Sequence, residues 1–185
     1  MVVCDSDAAA REVFTTARRS GRIPPVVGLV GGDLWRTLGA PRGGRSRLEA
    51  PEARCFEVDV GEALLDGVAH WFVAHLVARR SWWRGRAVAA MNAEFLGTWT
   101  VAPRAHPGDG LLDVVDADLP FSDRWEARRR LPYGTHVPHP RISIRRTAAV
   151  ELDVTGLHVR IDGTDIGRAS RLSLQVLDQA LTVVI

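Results

Sequence analysis

Apolar positions in the first forty residues change period twice. Val2-Val3-Cys4 is a short apolar run that predicts a strand. Asp5, Ser6 and Asp7 follow, and such side chains accept from the free amides of a helix start. Over 8–19, Ala9, Ala10, Val13, Phe14 and Ala17 recur at helical spacing, so an amphipathic helix is predicted. Arg18 and Arg19 suit its C-terminal dipole, and Gly21 suits its end. A second strand is predicted over 23–30, after which Gly31-Gly32-Asp33 turns into a short helix over 34–38. This strand–helix–strand–turn–helix unit is an α/β fragment too small to fold alone.

Residues 42–54 are rich in Gly, Arg and Pro and read as a linker or mobile loop. Beyond them the period becomes that of strands. Phe56, Val58 and Val60 alternate within 55–60, and 68–77 is apolar enough to predict one long strand. Segments 86–92 and 95–101 predict a hairpin pair, and 111–119 predicts the strand that follows. A charged helix capped by Ser122 is predicted over 122–130. Strands over 141–154, 158–161, 172–177 and 181–185 complete the chain. Eight or so strands with one helix predict a sandwich or a folded-over sheet. The class is therefore α+β: a short N-terminal α/β segment (1–41), a linker (42–54) and a β-rich, sandwich-like part (55–185).

Composition narrows the function. The 185 residues are 46% hydrophobic and 25% charged, as in an ordinary globular protein. The net charge is +2, which gives no general case for nucleic-acid binding. All 24 basic residues are arginine, so lysine chemistry, including a P-loop lysine or a Schiff base, is excluded. Cys4 and Cys55 lie in strand-like runs and read as buried thiols of a reducing compartment. The N-terminus lacks a signal-peptide pattern, and 67–78 is too short to cross a bilayer. A cytoplasmic protein is expected.

Several short stretches carry candidate chemistry, each beside a structural alternative. Pro107-Gly108-Asp109-Gly110 is a tight turn feeding the apolar strand of Leu111 and Leu112. Its carboxylate could face a cleft or a cation, and His106 lies in the same turn; a plain hairpin turn needs the same residues. Asp162-Gly163 ends an alternating strand at a sharp bend, as a general base or a turn residue. His136 and His139 have a metal-like spacing, but Pro138 and Pro140 restrict the backbone between and beyond them. Gly31-Gly32 before a helix is a weak phosphate-binding signal. Trp82-Trp83-Arg84 is an aromatic–basic cluster suited to lipid headgroups or to anchoring a loop. Trp35, Trp71, Trp99 and Trp125 read as core or interface residues.

In order, Asn92, Ala102-Pro103, Ala105, Asp109-Gly110-Leu111, His136, His139-Pro140 and Asp162-Gly163 make a set more specific than any member. The set resembles the diacylglycerol kinase-like lipid kinases, which include bacterial lipid kinases and the sphingosine kinases. The resemblance covers about 55–185. Over 2–13, Asp7, Glu12 and Val13 match the family's glycine loop, vvGGDGTlnEv, but Asp5, Ser6, Ala8 and Ala9 replace its glycines and threonine. Over 27–39, Asp33, Leu34, Arg36, Leu38 and Gly39 match the next family segment, PlGTgNDfARxLG.

The resemblance implies a lipid-kinase fold, with ATP and Mg²⁺ as cosubstrate and cofactor and a lipid as substrate. It implies that Asp162 is the base that deprotonates the lipid hydroxyl, with Thr164 where the family has a supporting Glu. It makes Asp7 and Asp33 the nucleotide-binding end. It also places a structural Mg²⁺ at the DG turn, on Asp109, His106 and Leu111. The elements that precede the glycine loop in the family are expected to lie outside this chain. Two readings follow: an ATP-dependent phosphotransferase acting on a lipid hydroxyl, or a non-catalytic lipid- or partner-binding module. The lost glycines favour the second, because side chains on the loop hinder the approach of backbone amides to phosphate. In a third reading another polypeptide, or a second copy in a homo-oligomer, supplies the missing half. Peripheral membrane contact through Trp82-Trp83 and no nucleic-acid partner complete the expectations.

Overall fold

The computed structural model describes residues 1–81 and 85–185, so Trp82-Trp83-Arg84 lies outside the described residues. The N-terminal segment forms β1 (Val2–Cys4), α1 (Asp7–Arg19), β2 (Val27–Leu29) and α2 (Asp33–Thr37). Ser6 caps α1 by accepting from the Ala9 amide at 3.4 Å. β2 is shorter than the predicted 23–30. Pro24 and Pro25 lack the N–H groups that a strand would share, and Ile23 is exposed.

Ten further strands and one further α-helix follow among the described residues. They are β3 (Cys55–Leu65), β4 (Val68–Phe72), β5 (His75–Arg79), β6 (Ala87–Met91), β7 (Phe95–Leu96), β8 (Trp99–Thr100), β9 (Leu112–Ala117), α3 (Phe121–Arg130), β10 (Ile142–Thr147), β11 (Ala149–Ile161) and β12 (Thr164–Val184). The main sheet runs β1-β2-β12-β11-β5-β6-β9-β10, and β3 joins β12 to β4. The 21-residue β12 is the shared strand. It pairs with β11 through Thr164–Gln175 and with β3 through Leu172–Val184. One strand serving two partners folds the sheet over itself, which is the predicted sandwich-like arrangement.

The two predicted strands 172–177 and 181–185 are therefore one strand with a bulge. The register shifts between Leu177 and Leu181, and Gln179 lies there at φ +46°. Segment 158–161 likewise belongs to β11, whereas 141–154 divides at Ala148 into β10 and part of β11. The predicted hairpin of 86–92 with 95–101 does not form. β6 sits between β5 and β9, while β7 and β8 make their own two-stranded sheet. Helix α3 starts at Phe121 after Pro120, and Ser122 bonds Asp123 instead of capping.

Residues 42–54 are not a free linker. Gly44–Glu49 forms a 3₁₀ turn, and Leu48 is buried against Gly28. β2 pairs in parallel with both β1 and the end of β12. Cys4, Phe14, Val27 and Leu29 share one apolar cluster with Val58, Val60, Leu181 and Val183. The short α/β segment is thus held by the β-rich part through hydrogen bonds and a common core. Of the two thiols, Cys4 is buried and Cys55 is exposed, because Cys55 opens β3 at its surface end.

Candidate functional site

The predicted strand over 68–77 breaks at Val73-Ala74, between β4 and β5. Both residues are fully buried, so their backbone groups need partners. Asp162 supplies them. Its carboxylate accepts the amides of Val73, Ala74 and His75, each at 3.0 Å. The Asp162 amide in turn donates to the His75 carbonyl at 2.9 Å. Asp162 sits at φ +45° in the tight turn from β11 to β12, a conformation that Asp tolerates better than most residues. Arg11 of α1 holds that turn from outside, donating to the Ile161 carbonyl at 2.7 Å and the Thr164 hydroxyl at 3.1 Å.

Asn92 secures the same break from β6. Its side-chain amide donates to the carbonyls of Val73 and Asp59 at 2.8 Å, and its backbone amide donates to Ala74 at 2.9 Å. Asp59 of β3 has no exposed surface. Its carboxylate accepts from Gly110 at 2.8 Å and from Gln179, in the β12 bulge, at 2.9 Å. The dispersed residues Asn92, Gly110 and Asp162 are therefore brought together around one backbone break.

Asp7 and Asp33 meet beside it. Asp7 is buried and accepts from the amides of Asp33 at 2.6 Å and Leu34 at 3.1 Å, the first amides of α2. Gly32, at φ +100°, permits this approach; a Cβ there would lie 2.4 Å from the Asp7 carboxylate. Asp33 meets His75 Nε2 at 3.1 Å and accepts from the Gly97 amide at 2.8 Å. His75 continues through its backbone amide to Asp162.

The charges are coupled through this network. Burial, together with the Asp162 and Asp33 charges, pushes the Asp7 carboxyl up to about 6 against the pull of the two α2 amides. Complete burial also raises Asp162, although His75 and the three amides oppose it. Burial alone would lower His75, but the bond to Asp33 and the three nearby carboxylates raise it. Burial alone would raise Asp33, but His75, the Gly97 amide and Arg36 hold it below the usual range.

Ligand atoms of Asp7, Asp33 and His75 all lie within 4.8 Å of one another. Two carboxylates and an imidazole suit a borderline divalent ion better than Mg²⁺, which prefers an all-oxygen octahedron. At the other implied Mg²⁺ site, Asp109 forms an ion pair with Arg146 and accepts from the Leu111 amide at 3.0 Å. Arg146 also lies 3.5 Å from Asp113. His106 is an exposed imidazole. A guanidinium already neutralises this turn, so Asp109, His106 and Leu111 do not fit Mg²⁺.

Sequence reasoning missed His75, Asp59 and Arg11. The signal for the first two was a polar residue interrupting an apolar run: Asp59 between Val58 and Val60, and His75 between Ala74 and Leu76. Nothing local marked Arg11. Trp125, expected in the core or at an interface, is not in the core: it is 54% exposed.

Residues 58–185 match the family described as the YegS C-terminal NAD kinase beta sandwich-like domain, and the chain belongs to that family. No curated protein matches it. Among solved structures, it resembles a candidate diacylglycerol kinase of Bacillus anthracis str. Sterne. The TM-score is 0.74 at 15% identity, over 96% of this chain and 75% of that one. A diacylglycerol kinase of the same organism aligns with TM-score 0.63 and 16% identity, over 87% and 67% of the two chains. At such identity these likenesses show the fold, which is that of diacylglycerol kinase-like proteins.

Proposed function

We propose that this chain is a non-catalytic member of the lipid-kinase family, a lipid- or partner-binding module with a phosphoryl-transfer centre turned to structural use. The observation that carries the reading is self-capping. Ser6 takes an amide at the start of α1, and Asp7 takes the first two of α2. Those are the donors a phosphate would need at the two loops. Asp5 and Asp7 add negative charge there. A carboxylate 4 Å from a phosphate charge is repelled by about 4 kcal/mol at an effective dielectric constant of 20. Asp162, in the position of the base, has both oxygens engaged by backbone amides, which leaves it poorly placed to take a proton from a hydroxyl.

One observation favours the rival reading, ATP-dependent phosphorylation of a lipid hydroxyl. Asp7, Asp33 and His75 could hold a divalent ion beside Asp162. Labelled ATP, mixed lipids and either Mg²⁺ or Mn²⁺ decide between the two. The expected result is no labelled lipid from the wild-type chain. Labelled lipid that disappears in Asp162→Asn overturns the proposal.

A further inference from the structure

Strand β9 leaves the turn at Pro107-Gly108-Asp109-Gly110 and runs between β6 and β10. Its second residue, Asp113, is only 4% exposed. A carboxylate buried in a sheet is costly unless a cation meets it. Arg146 of β10 does so. It is paired directly with Asp113 in the β9–β10 register, so the two side chains lie on the same side of the sheet. Its Nε lies 3.5 Å from the Asp113 carboxylate, and its Nη2 bonds Asp109 in the turn. Asp109 also accepts from the Leu111 amide at 3.0 Å. One planar group of fixed charge thus joins the two carboxylates that flank Gly110-Leu111-Leu112.

The remaining charged groups leave this role to Arg146. Burial raises the Asp113 carboxyl; the Arg146 charge opposes that, Asp109 adds to it, and Arg104 opposes it. Arg104 acts from a distance, and among the described residues Arg146 alone pairs with both carboxylates. On the far side of Gly110, Asp59 accepts from the Gly110 and Gln179 amides and lies against Asp178. Desolvation and that neighbouring carboxylate raise Asp178. The turn is tied to the centre by the same residues. The Gly110 amide donates to Asp59, and Asn92 joins the Asp59 carbonyl to that of Val73, at the break beside Asp162.

We infer that Arg146 is a built-in cation that does at the DG turn what a divalent ion would otherwise do, and that removing it uncovers a site for Mg²⁺ or Ca²⁺ on Asp109 and Asp113. A guanidinium brings its charge covalently, so the turn needs no ion from solution. Without it, two carboxylates, one of them buried, are left uncompensated on one side of the sheet. One or two carboxylates with retained waters are the usual protein share of a Mg²⁺ shell, and Ca²⁺ takes the same oxygen ligands. Asp109 and Asp113 are no part of the Asp7–Asp33–His75 cluster. The inference therefore holds whether or not the centre transfers phosphate, and the variants below separate the two places.

The test compares thermal unfolding in EDTA with unfolding in millimolar MgCl₂ or CaCl₂. The chains are the wild type, Arg146→Gln, Arg146→Lys, Asp109→Asn and Arg146→Gln/Asp109→Asn. Arg146→Gln should unfold earlier than wild type in EDTA. Either cation should raise its Tm by about 3 °C or more beyond any shift of the wild type, as for a site filled well above its Kd. Arg146→Lys keeps a positive charge at the turn and should show no such gain, and removing the Asp109 carboxylate as well should abolish it. Where Arg146→Gln is unfolded in EDTA, recovery of its far-UV circular dichroism on adding either cation is the same result. The inference is overturned if Arg146→Gln responds to cations no more than wild type does, or fails to recover with them. It is equally overturned by a gain that survives Asp109→Asn, or by a wild-type response that Asp109→Asn abolishes.

Discussion

Asp162 makes the difference between a catalytic and a structural carboxylate measurable. Its Oδ1 accepts from Ala74 and His75, and its Oδ2 from Val73. Asp162→Ala strands three buried amides, at roughly 1–3 kcal/mol each. The expected outcome is a loss of several kcal/mol, or failure to fold. Asp162→Asn keeps the Oδ1 acceptor and tolerates φ +45°, so it should lose about half as much or less. Urea unfolding of the two variants checks the ranking; equal midpoints for wild type and Asp162→Ala would show the clamp to be dispensable.

The same cluster sets a pH dependence. Asp7 and His75 both have raised values in the folded chain. A group that holds its proton more tightly when folded stabilises below its unfolded value, and that contribution is lost as pH rises through the folded value. Asp7 loses it from about 4 to about 6, and His75 from about 6.5 upward. Asp33, held low, acts only in acid, losing its contribution as pH falls below about 4. The urea midpoint should therefore fall between about pH 5.5 and 8. His75→Gln should flatten the upper part of that slope, and an unchanged slope would remove His75 from the account.

Among elements, the break between β4 and β5 shows what periodicity can and cannot reveal. Residues 68–77 are apolar apart from His70 and His75, so a single strand is the natural reading. The break comes from residues distant in sequence: Asp162, Asn92 and, through Asn92, Asp59. No local pattern carries such information. α1, α2 and β1 were legible because their caps and apolar spacing are local. The hairpin of 86–92 with 95–101 was misread because sheet order places β5 and β9 on either side of β6. The ordered motif was legible as a resemblance, but the use of its residues was not. Asp7 appeared as a nucleotide-side carboxylate, and only its 2.6 Å bond to the α2 amide shows that it is already engaged.

Packing between β3 and β4 gives an element-scale prediction. Gly61 lies opposite Phe72, and a Cβ on Gly61 would fall 2.1 Å from the Phe72 ring. Phe72 is fully buried and cannot swing away. Gly61→Ala should cost roughly 1–3 kcal/mol or more by overpacking. Adding Phe72→Leu should recover part of that loss, and urea midpoints of the single and double variants measure it. A neutral Gly61→Ala would mean that this sheet pair is looser than the register implies.

At the scale of the whole molecule, β12 ties the parts together. It pairs with β2 of the α/β segment, with β3, and with β11, whose turn presents Asp162. The α/β segment reaches back through Arg11 to that same turn. Asp7, His75 and Asp162, which are buried, and the half-buried Asp33 then form one polar chain across the junction. In this arrangement these residues link the α/β segment to the β-rich part. Among the described residues no helix is long and apolar enough to cross a membrane.

Thermal unfolding with and without millimolar ATP and Mg²⁺ tests the central claim most directly. A ligand at about 100 times its Kd would stabilise the folded chain by roughly 2.7 kcal/mol, a shift of several degrees. The self-capped loops predict no shift in Tm with MgATP beyond that given by Mg²⁺ alone. A rise of several degrees that requires ATP would contradict the account and return the centre to phosphoryl transfer.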